Sequence, residues 1–125
     1  MDDLRREIKP AVFVGSSRRD LQTFPPAVRR EIGQALFEAQ LGDHPAHAKP
    51  LKGFGSGVLE IRDSYDGDTF RAVYTVRFES VLYVLHTFQK KSVSGIAAPQ
   101  RHLNLIRQRL RQAEAIHRAR EGVGP

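Results

Sequence analysis

The chain has 125 residues and a mass of 14.1 kDa, enough for one compact domain, since domains most often contain about 100 to 150 residues. It is 40% hydrophobic and 27% charged, a balance typical of a globular protein. The chain contains no cysteine, which excludes disulfides, thiolate zinc sites and cysteine nucleophiles. Its longest apolar run, Val81 to Leu85, is far shorter than the roughly 20 residues of a membrane-spanning helix.

The first residues give no sign of export. Met1 to Glu7 are mostly charged and no apolar segment follows them, so we expect no cleaved signal peptide and a cytoplasmic location. We expect a flexible N-terminal tail over residues 1–10, a single domain over residues 11–119 and a flexible C-terminal tail over residues 120–125.

Basic residues are concentrated in the later part of the chain. Residues 1–48 contain seven Lys or Arg and seven Asp or Glu, whereas residues 49–120 contain thirteen and six. A localised basic surface attracts polyanions and speeds their capture. The charge distribution therefore indicates nucleic acid as the first class of partner and an acidic protein as the second. A basic surface that serves only solubility is the alternative.

The first part of the chain predicts one strand and two helices. A short apolar run over residues 11–14 predicts the first strand. Ser17 and Asp20 have the spacing of a helix-opening capping box and predict a short helix. A longer amphipathic helix, ended by Gly42, is predicted by apolar residues that recur three and four positions apart. These residues are Val28, Ile32, Ala35, Leu36 and Ala39.

After a loop rich in proline and glycine, apolar residues alternate with polar ones, which is the pattern of strands. Strands are predicted over residues 58–64 and 69–78, with a tight turn at Asp66 and Gly67 between them. Residues 81–88 are apolar on both faces and predict a central strand covered on both sides.

Pro99 is well placed as the first residue of a last helix. Its predicted core stripe is Leu103, Ile106, Leu110 and Ala113, with arginines, Arg109 among them, around the rest. The predicted fold is therefore α/β (α+β): a strand, two helices, an antiparallel meander of three strands and a C-terminal helix.

Two arginines on neighbouring predicted strands, Arg62 and Arg71, point away from the apolar face of the sheet. Lysines in the flanking loops can close over the same region, namely Lys49, Lys52, Lys90 and Lys91. We call these six residues the basic cup. A cup of this kind suits a phosphate, which the planar fork of arginine can bind through two hydrogen bonds. The alternative is that both arginines form ordinary exposed ion pairs, with Glu60, Asp63 or Asp68 as partners.

If the basic cup holds RNA, the expected reaction is attack of a 2′-hydroxyl on the adjacent phosphate, because the RNA then supplies its own nucleophile. The protein must stabilise the developing charge and help to move two protons. Arginine suits the first task but stays protonated, so another group is needed for the second. The candidates are Lys90, Lys91, Lys52, His86 and Tyr74. His86 lies within an apolar strand, where a core histidine is the alternative interpretation.

Metal and cofactor sites are weakly indicated. His44 and His47 have ligand spacing but no cysteine or acidic cluster beside them. The glycines of residues 53–57 precede a strand, whereas a phosphate-binding loop links a strand to a helix. We expect neither a metal ion nor a cofactor.

Three segments resemble the HigB-like, phage-derived branch of the RelE/ParE toxin superfamily. They are LKGFGSGVLEIR (residues 51–62), FRAVY (70–74) and VLHTFQKK (84–91), and the similarity spans roughly residues 11–111. The resemblance implies a RelE-like fold and a toxin that cleaves mRNA on the translating ribosome. It also implies a HigA-like antitoxin with a helix-turn-helix domain, in an assembly that can be a heterotetramer.

By motif, the resemblance assigns Lys52, Arg62, Arg71 and the Lys90/Lys91 pair to the active face. We expect Arg62, Arg71, Lys90 and Lys91 to be catalytic, and Lys49, Lys52, Tyr74 and His86 to bind substrate. RelE also uses a tyrosine near its C-terminus, whereas here no tyrosine follows Tyr83. The general base is therefore open, with Lys90 or Lys91 preferred and His86 behind them. The competing hypothesis is a non-enzymatic toxin or binding module, for example directed at gyrase, that acts through its basic surface.

Overall fold

A computed structural model of the chain describes residues 7–90 and 99–122. Five strands and three helices form within these residues. In chain order they are β1 (Ala11–Phe13), α1 (Ser17–Gln22), α2 (Pro26–Gln40), β2 (Ala48–Pro50), β3 (Val58–Tyr65), β4 (Asp68–Thr75), β5 (Leu82–Lys90) and α3 (Gln100–Arg120). The predicted order of elements is confirmed, with β2 as an additional strand.

The five strands form one sheet in the order β1-β5-β4-β3-β2. β1 runs parallel to β5, and the other neighbours are antiparallel. α2 packs on one face of the sheet and α3 on the other, so that β5, between β1 and β4, is buried on both faces as predicted. The mixed α+β architecture expected from the sequence is therefore confirmed.

The two faces of the sheet carry separate apolar cores. The predicted apolar stripe of α2 is buried against one face, together with Leu59, Ile61 and Tyr74. On the other face, Val73, Tyr83 and Leu85 pack against α3. α2 begins at Pro26, whose missing N–H costs nothing in a first turn, and it ends where Gly42 adopts a φ of 91°.

The β3–β4 hairpin sets the register of the predicted site. Asp66 and Gly67 have φ angles of 52° and 84°, and two successive positive values are those of the primed turn that matches strand twist. This turn pairs Tyr65 with Asp68 and, three steps away, Arg62 with Arg71. Residues directly opposite each other in an antiparallel pair share a face, so the two arginines do so here.

A β-bulge in β5 brings further residues to the same face. Val73 pairs with His86 but Tyr74 pairs with Val84, which leaves Leu85 as an extra residue in β5. Leu85 and His86 therefore both lie on the α3 side of the sheet. Beyond the bulge the alternation is shifted by one residue, and Phe88 lies directly opposite Arg71.

Four details of the predicted elements are wrong. β2 was expected to be loop, because a three-residue strand ending at Pro50 is too short to show alternation. β4 ends at Thr75 and not at residue 78, and the next two residues, Val76 and Arg77, are exposed to solvent. Arg109, expected on the outside of the last helix, is buried, because α3 lies across the sheet at this point. Pro99 is the residue before α3 and not its first residue.

The ends of the domain differ slightly from the predicted limits. Two hydrogen bonds join Lys9 to Gln40. The backbone N–H of Lys9 donates to the backbone carbonyl of Gln40 at 3.0 Å, and the side-chain amide of Gln40 donates to the backbone carbonyl of Lys9 at 2.8 Å. Arg120 is the last residue of α3. Contacts of the domain thus extend one or two residues into each predicted tail, and residues 1–6 and 123–125 lie outside the described residues.

Within the described ranges, no helix is both long and apolar enough to cross a membrane.

Candidate functional site

Arg62 and Arg71 meet at a single carboxylate. Glu60 accepts a hydrogen bond from Arg62 Nε at 2.7 Å on Oε1 and another from Arg71 Nη1 at 3.2 Å on Oε2. The two guanidinium groups would repel each other on paired strands, and the carboxylate between them offsets this repulsion. With one acid for two bases, the three side chains keep a net positive charge.

The two arginines differ strongly in burial. The side chain of Arg62 is 54% exposed, whereas those of Arg71 and Glu60 are only 8% and 4% exposed. The prediction that both arginines lie on an open sheet face is wrong for Arg71, because α3 covers part of this face. Among the described residues, Arg71 Nε is buried without a hydrogen-bond partner. A buried donor that stays unpaired costs about 1–3 kcal/mol, and such groups are uncommon in native structures.

Lys90 and Lys49 lie around this arginine pair. Partial burial lowers the pKa of Lys90, and the charges of Arg71 and Arg62 lower it further, while Glu60 acts in the opposite direction. Lys90 therefore shares one electrostatic environment with both arginines. Lys49 is exposed on β2 directly opposite Glu60, on the same face of the sheet.

One lysine of the basic cup, Lys52, is not joined to this cluster by any described contact. Lys52 is exposed in the loop between β2 and β3, and within the described parts of the chain no hydrogen bond or ion pair links it to Glu60 or the two arginines. Lys91 lies outside the described residues, so its placement in the basic cup stays a prediction.

Tyr74 is separated from the basic cup by the sheet itself. Its side chain is 1% exposed and belongs to the core between the sheet and α2. Burial raises its pKa to about 12, so the hydroxyl stays protonated at neutral pH. The expectation that Tyr74 binds substrate or moves a proton beside Arg71 is therefore wrong, because the two side chains lie on opposite faces.

His86 is on the correct face but below the surface. It is 5% exposed, and its ring nitrogens contact Arg109 Nη1 at 3.2 Å and His102 Nδ1 at 2.8 Å. Burial lowers its pKa to about 4; His102 and Arg109 act in the same direction and Asp20 opposes them. His86 is thus a neutral core histidine at pH 7, and its burial is the reason why the expected direct contact of His86 with substrate is not supported.

His102 is the site residue that the sequence did not reveal. It lies in the first turn of α3, half-buried, and its ring is stacked on Phe88 with centroids 4.2 Å apart and planes at 18°. Partial burial lowers its pKa, and the charges of Arg101 and Arg71 add to this effect. No local pattern marks this residue, because only the packing of α3 across β5 brings it close to Arg71.

A cavity of about 610 Å³ opens where α1, the β3–β4 turn, β5 and α3 meet. Its lining includes His86 and His102 but not Arg62, Arg71 or Lys90, so it adjoins the basic cup without coinciding with it. Among the residues that the structure describes, no group of three or more His, Asp or Glu side chains is arranged to hold a metal ion.

Two solved structures are similar to this chain. The free state of a mutant of the E. coli toxin RelE, in which two arginines are replaced by alanine, shares its fold. That chain is 19% identical with a TM-score of 0.52, and the match covers 71% of this chain and 88% of that chain. The toxin–antitoxin complex RelBE2 from Mycobacterium tuberculosis contains a chain 20% identical with a TM-score of 0.49, covering 67% of this chain and all of that one, 100%. No curated protein matches this chain.

Residues 19–111 match the family described as "Phage derived protein Gp49-like". This match and the RelE-like fold confirm the resemblance to the phage-derived branch of the RelE toxin superfamily. Because the matched residues make up well over half of the chain, the protein belongs to the phage-derived Gp49-like family.

Proposed function

We propose that this protein is the toxin of a type II toxin–antitoxin system and a metal-independent endoribonuclease that cleaves mRNA. The observation that carries the proposal is the cluster of Arg62, Arg71 and Lys90 around Glu60 on one face of the sheet. A surface that only keeps a protein in solution has no need for a buried arginine with an unpaired donor.

The cluster suits cleavage by an internal nucleophile. The 2′-oxygen loses its proton and forms a bond to phosphorus, the bond from phosphorus to the 5′-oxygen breaks, and the 5′-oxygen takes up a proton from solvent. The products carry a 2′,3′-cyclic phosphate and a 5′-hydroxyl. Arg62 and Arg71 stabilise the charge that builds up on the phosphate oxygens. Lys90 is the proposed base that accepts the 2′ proton. Its pKa is lowered, so less free energy is needed to form its neutral amine than for an ordinary lysine.

Glu60 sets the starting position of both guanidinium groups. An incoming phosphate competes with this carboxylate for their N–H donors. Arg62, the more exposed of the two, can turn from Glu60 to the phosphate at lower cost, while Arg71 stays in place. In this proposal Lys49, and by motif Lys52 and Lys91, bind neighbouring phosphates of the same strand.

The partner proposals rest on the family resemblance. We propose a HigA-like antitoxin with a helix-turn-helix domain, in an assembly that can be a heterotetramer, and mRNA on the translating ribosome as the substrate. We also propose that residues 11–119 act as a single toxin domain located in the cytoplasm.

Induced expression in bacteria, with mapping of transcript 5′ ends, tests this function. Arg71→Ala is a poor test because Arg71 is buried, so the exposed or half-buried residues Arg62 and Lys90 are the better targets. We expect Arg62→Gln and Lys90→Gln each to lower the number of new ends by about 100-fold, the size of effect seen when one charge-stabilising donor is removed. Arg30→Gln, the same change of charge on exposed α2, is the matched control and should cleave normally.

The competing function is a non-enzymatic toxin that binds through α3, which presents exposed arginines along one side. Under this alternative, the wild type produces no new transcript ends, and Lys90→Gln remains as toxic as the wild type. Charge reversal at Arg107 and Arg111 then abolishes growth inhibition. The first result alone would be enough to reject the ribonuclease proposal.

A further inference from the structure

A buried guanidinium group determines which nitrogen of His86 carries the proton. Arg109 Nη1 donates to the carbonyl of Leu85 at 3.1 Å and contacts His86 Nδ1 at 3.2 Å. Arginine has N–H donors only and stays protonated in proteins. His86 Nδ1 must therefore be the acceptor, and the proton of the neutral ring lies on Nε2.

The same reasoning gives the position of the proton on the ring of His102. His86 Nε2 lies 2.8 Å from His102 Nδ1, so the N–H of His86 donates to that nitrogen. The lone pair of His102 Nδ1 is thereby occupied, and neutral His102 carries its own proton on Nε2. Arg109, His86 and His102 thus form a chain of hydrogen bonds with a single direction, and the last N–H of the chain belongs to His102.

The start of this chain is held firmly. Arg109 Nη2 donates to Ser16 Oγ at 2.9 Å, and Ser16 Oγ donates to Asp20 Oδ2 at 2.8 Å. The backbone at Gly15 has a φ of 58°, and a Cβ there would lie 2.7 Å from Arg109 Nε. The turn between β1 and α1 therefore fits closely against the guanidinium group and fixes its orientation.

His102, the last residue in this series of hydrogen bonds, borders open space beside the basic cup. His102 lines the cavity of about 610 Å³ and a second one of about 440 Å³. In the described parts of the chain its Nε2 has no hydrogen-bond partner. The charged groups that act on it are Arg101 on α3 and Arg71 on β4, both positive. The larger cavity is also lined by the carboxylates of Asp20, Asp66 and Asp68, whereas the described lining of the smaller one contains Arg101 and no acidic residue. A ligand that accepts a hydrogen bond and carries negative charge therefore fits His102 on the side of the smaller cavity.

We propose that His102 is a substrate-binding residue that donates a hydrogen bond from Nε2 to a phosphate oxygen of RNA, with His86 and Arg109 as positioning residues that hold this tautomer. The proposal rests on the proposed function and adds a contact to it. It assigns no proton transfer to His102, because a neutral ring with Nδ1 occupied has no lone pair on Nε2. The lowered pKa values of both histidines agree with neutral rings at pH 7.

Nitrogen-15 NMR of the histidine rings reads the tautomer without any need for activity. At pH 7 we expect His86 and His102 to be neutral with the proton on Nε2, while exposed His47 is the reference for a free ring. His86→Leu should release His102 into a mixture of both tautomers, which a purely structural role of His86 would not cause. A His102 ring that is protonated, or protonated at Nδ1, in the wild type would overturn the proposal.

Transcript mapping with two His102 variants tests the phosphate contact. Glutamine can place an N–H close to the position of Nε2, so His102→Gln should keep cleavage within about threefold of wild type. His102→Leu should lose about tenfold or more, as expected for a hydrogen bond to a charged group. If His102→Gln is as inactive as His102→Leu, the residue carries a proton and the proposal is wrong. It is also wrong if both variants cleave normally.

The outcomes separate this proposal from the function on which it rests. Normal cleavage by His102→Leu combined with loss of cleavage in Lys90→Gln removes only the His102 contact. Absence of cleavage by the wild type removes both, since no RNA phosphate is then left for His102 to bind. Circular dichroism melting of each variant identifies any loss that is due to unfolding.

Discussion

At the scale of single residues, the basic cup depends on Glu60. Arg71 is buried, and a buried charge without a partner costs several kcal/mol. Glu60 supplies the partner and also holds exposed Arg62 at the same point. The carboxylate thus keeps two positive groups close together before any RNA arrives, so that less ordering is left for the binding step.

Glu60→Gln tests this dependence. Loss of the negative charge leaves Arg71 buried and unpaired, so we expect the free energy of unfolding, measured by urea denaturation, to fall by about 3 kcal/mol. Glu79→Gln, the same change at an exposed residue, should alter it by less than about 0.5 kcal/mol. Equal stability of the two variants would show that Glu60 does not compensate the charge of Arg71.

Strand alternation was enough to predict that Arg62 and Arg71 share a face. It also placed Tyr74 on the opposite face from Arg71, so the inclusion of Tyr74 among the site residues was an error that the sequence itself could have prevented. The sequence could not reveal the burial of Arg71 or the role of His102. Both depend on where α3 crosses the sheet, which is a matter of tertiary packing.

At the scale of elements, β5 and α3 are joined by polar as well as apolar contacts. The bulge at Leu85 turns His86 toward α3, where Arg109 and His102 contact its two ring nitrogens. His86 can make these contacts only as a neutral ring, because protonation of Nδ1 would place two donors against each other. The attachment of α3 to β5 should therefore weaken in acid.

The pH dependence of stability tests this attachment. The unfolded chain binds a proton at His86 below its ordinary pKa of about 6.5. The folded chain binds one only below about 4, so stability is complete above pH 6.5 and is lost as the pH falls toward 4. Between pH 7 and pH 5 we expect wild type to lose on the order of 2 kcal/mol more than His86→Leu in urea unfolding. Parallel curves for wild type and His86→Leu would contradict the account.

The order of helices and strands was predictable because each long element shows its own periodicity, as the stripe from Val28 to Ala39 illustrates. Three features were not predictable in this way: the edge strand β2, the early end of β4 at Thr75 and the bulge at Leu85. These features depend on pairing between strands, and none of them leaves a pattern in the local sequence.

At the scale of the whole molecule, the uneven distribution of charged residues along the sequence gives an uneven distribution of charge over the surface. The basic later part supplies β3, β4 and β5 of the sheet and also α3, which covers one face of the sheet. The layer made by α1 and α2 comes from the part of the chain in which positive and negative residues balance. Under the proposed function, this distribution of charge would attract an RNA strand to the side that carries the basic cup.

The chemical form of the cleaved ends is the most direct test of the central claim that basic side chains act on an RNA that supplies its own nucleophile. In transcripts from cells that express the wild-type chain, we predict downstream fragments that begin with a 5′-hydroxyl. The upstream fragments should end in a 2′,3′-cyclic phosphate or the 3′-phosphate formed from it. Fragments with 5′-phosphate and 3′-hydroxyl ends at the sites lost in Lys90→Gln would contradict the account, because they require attack by water and not by the RNA.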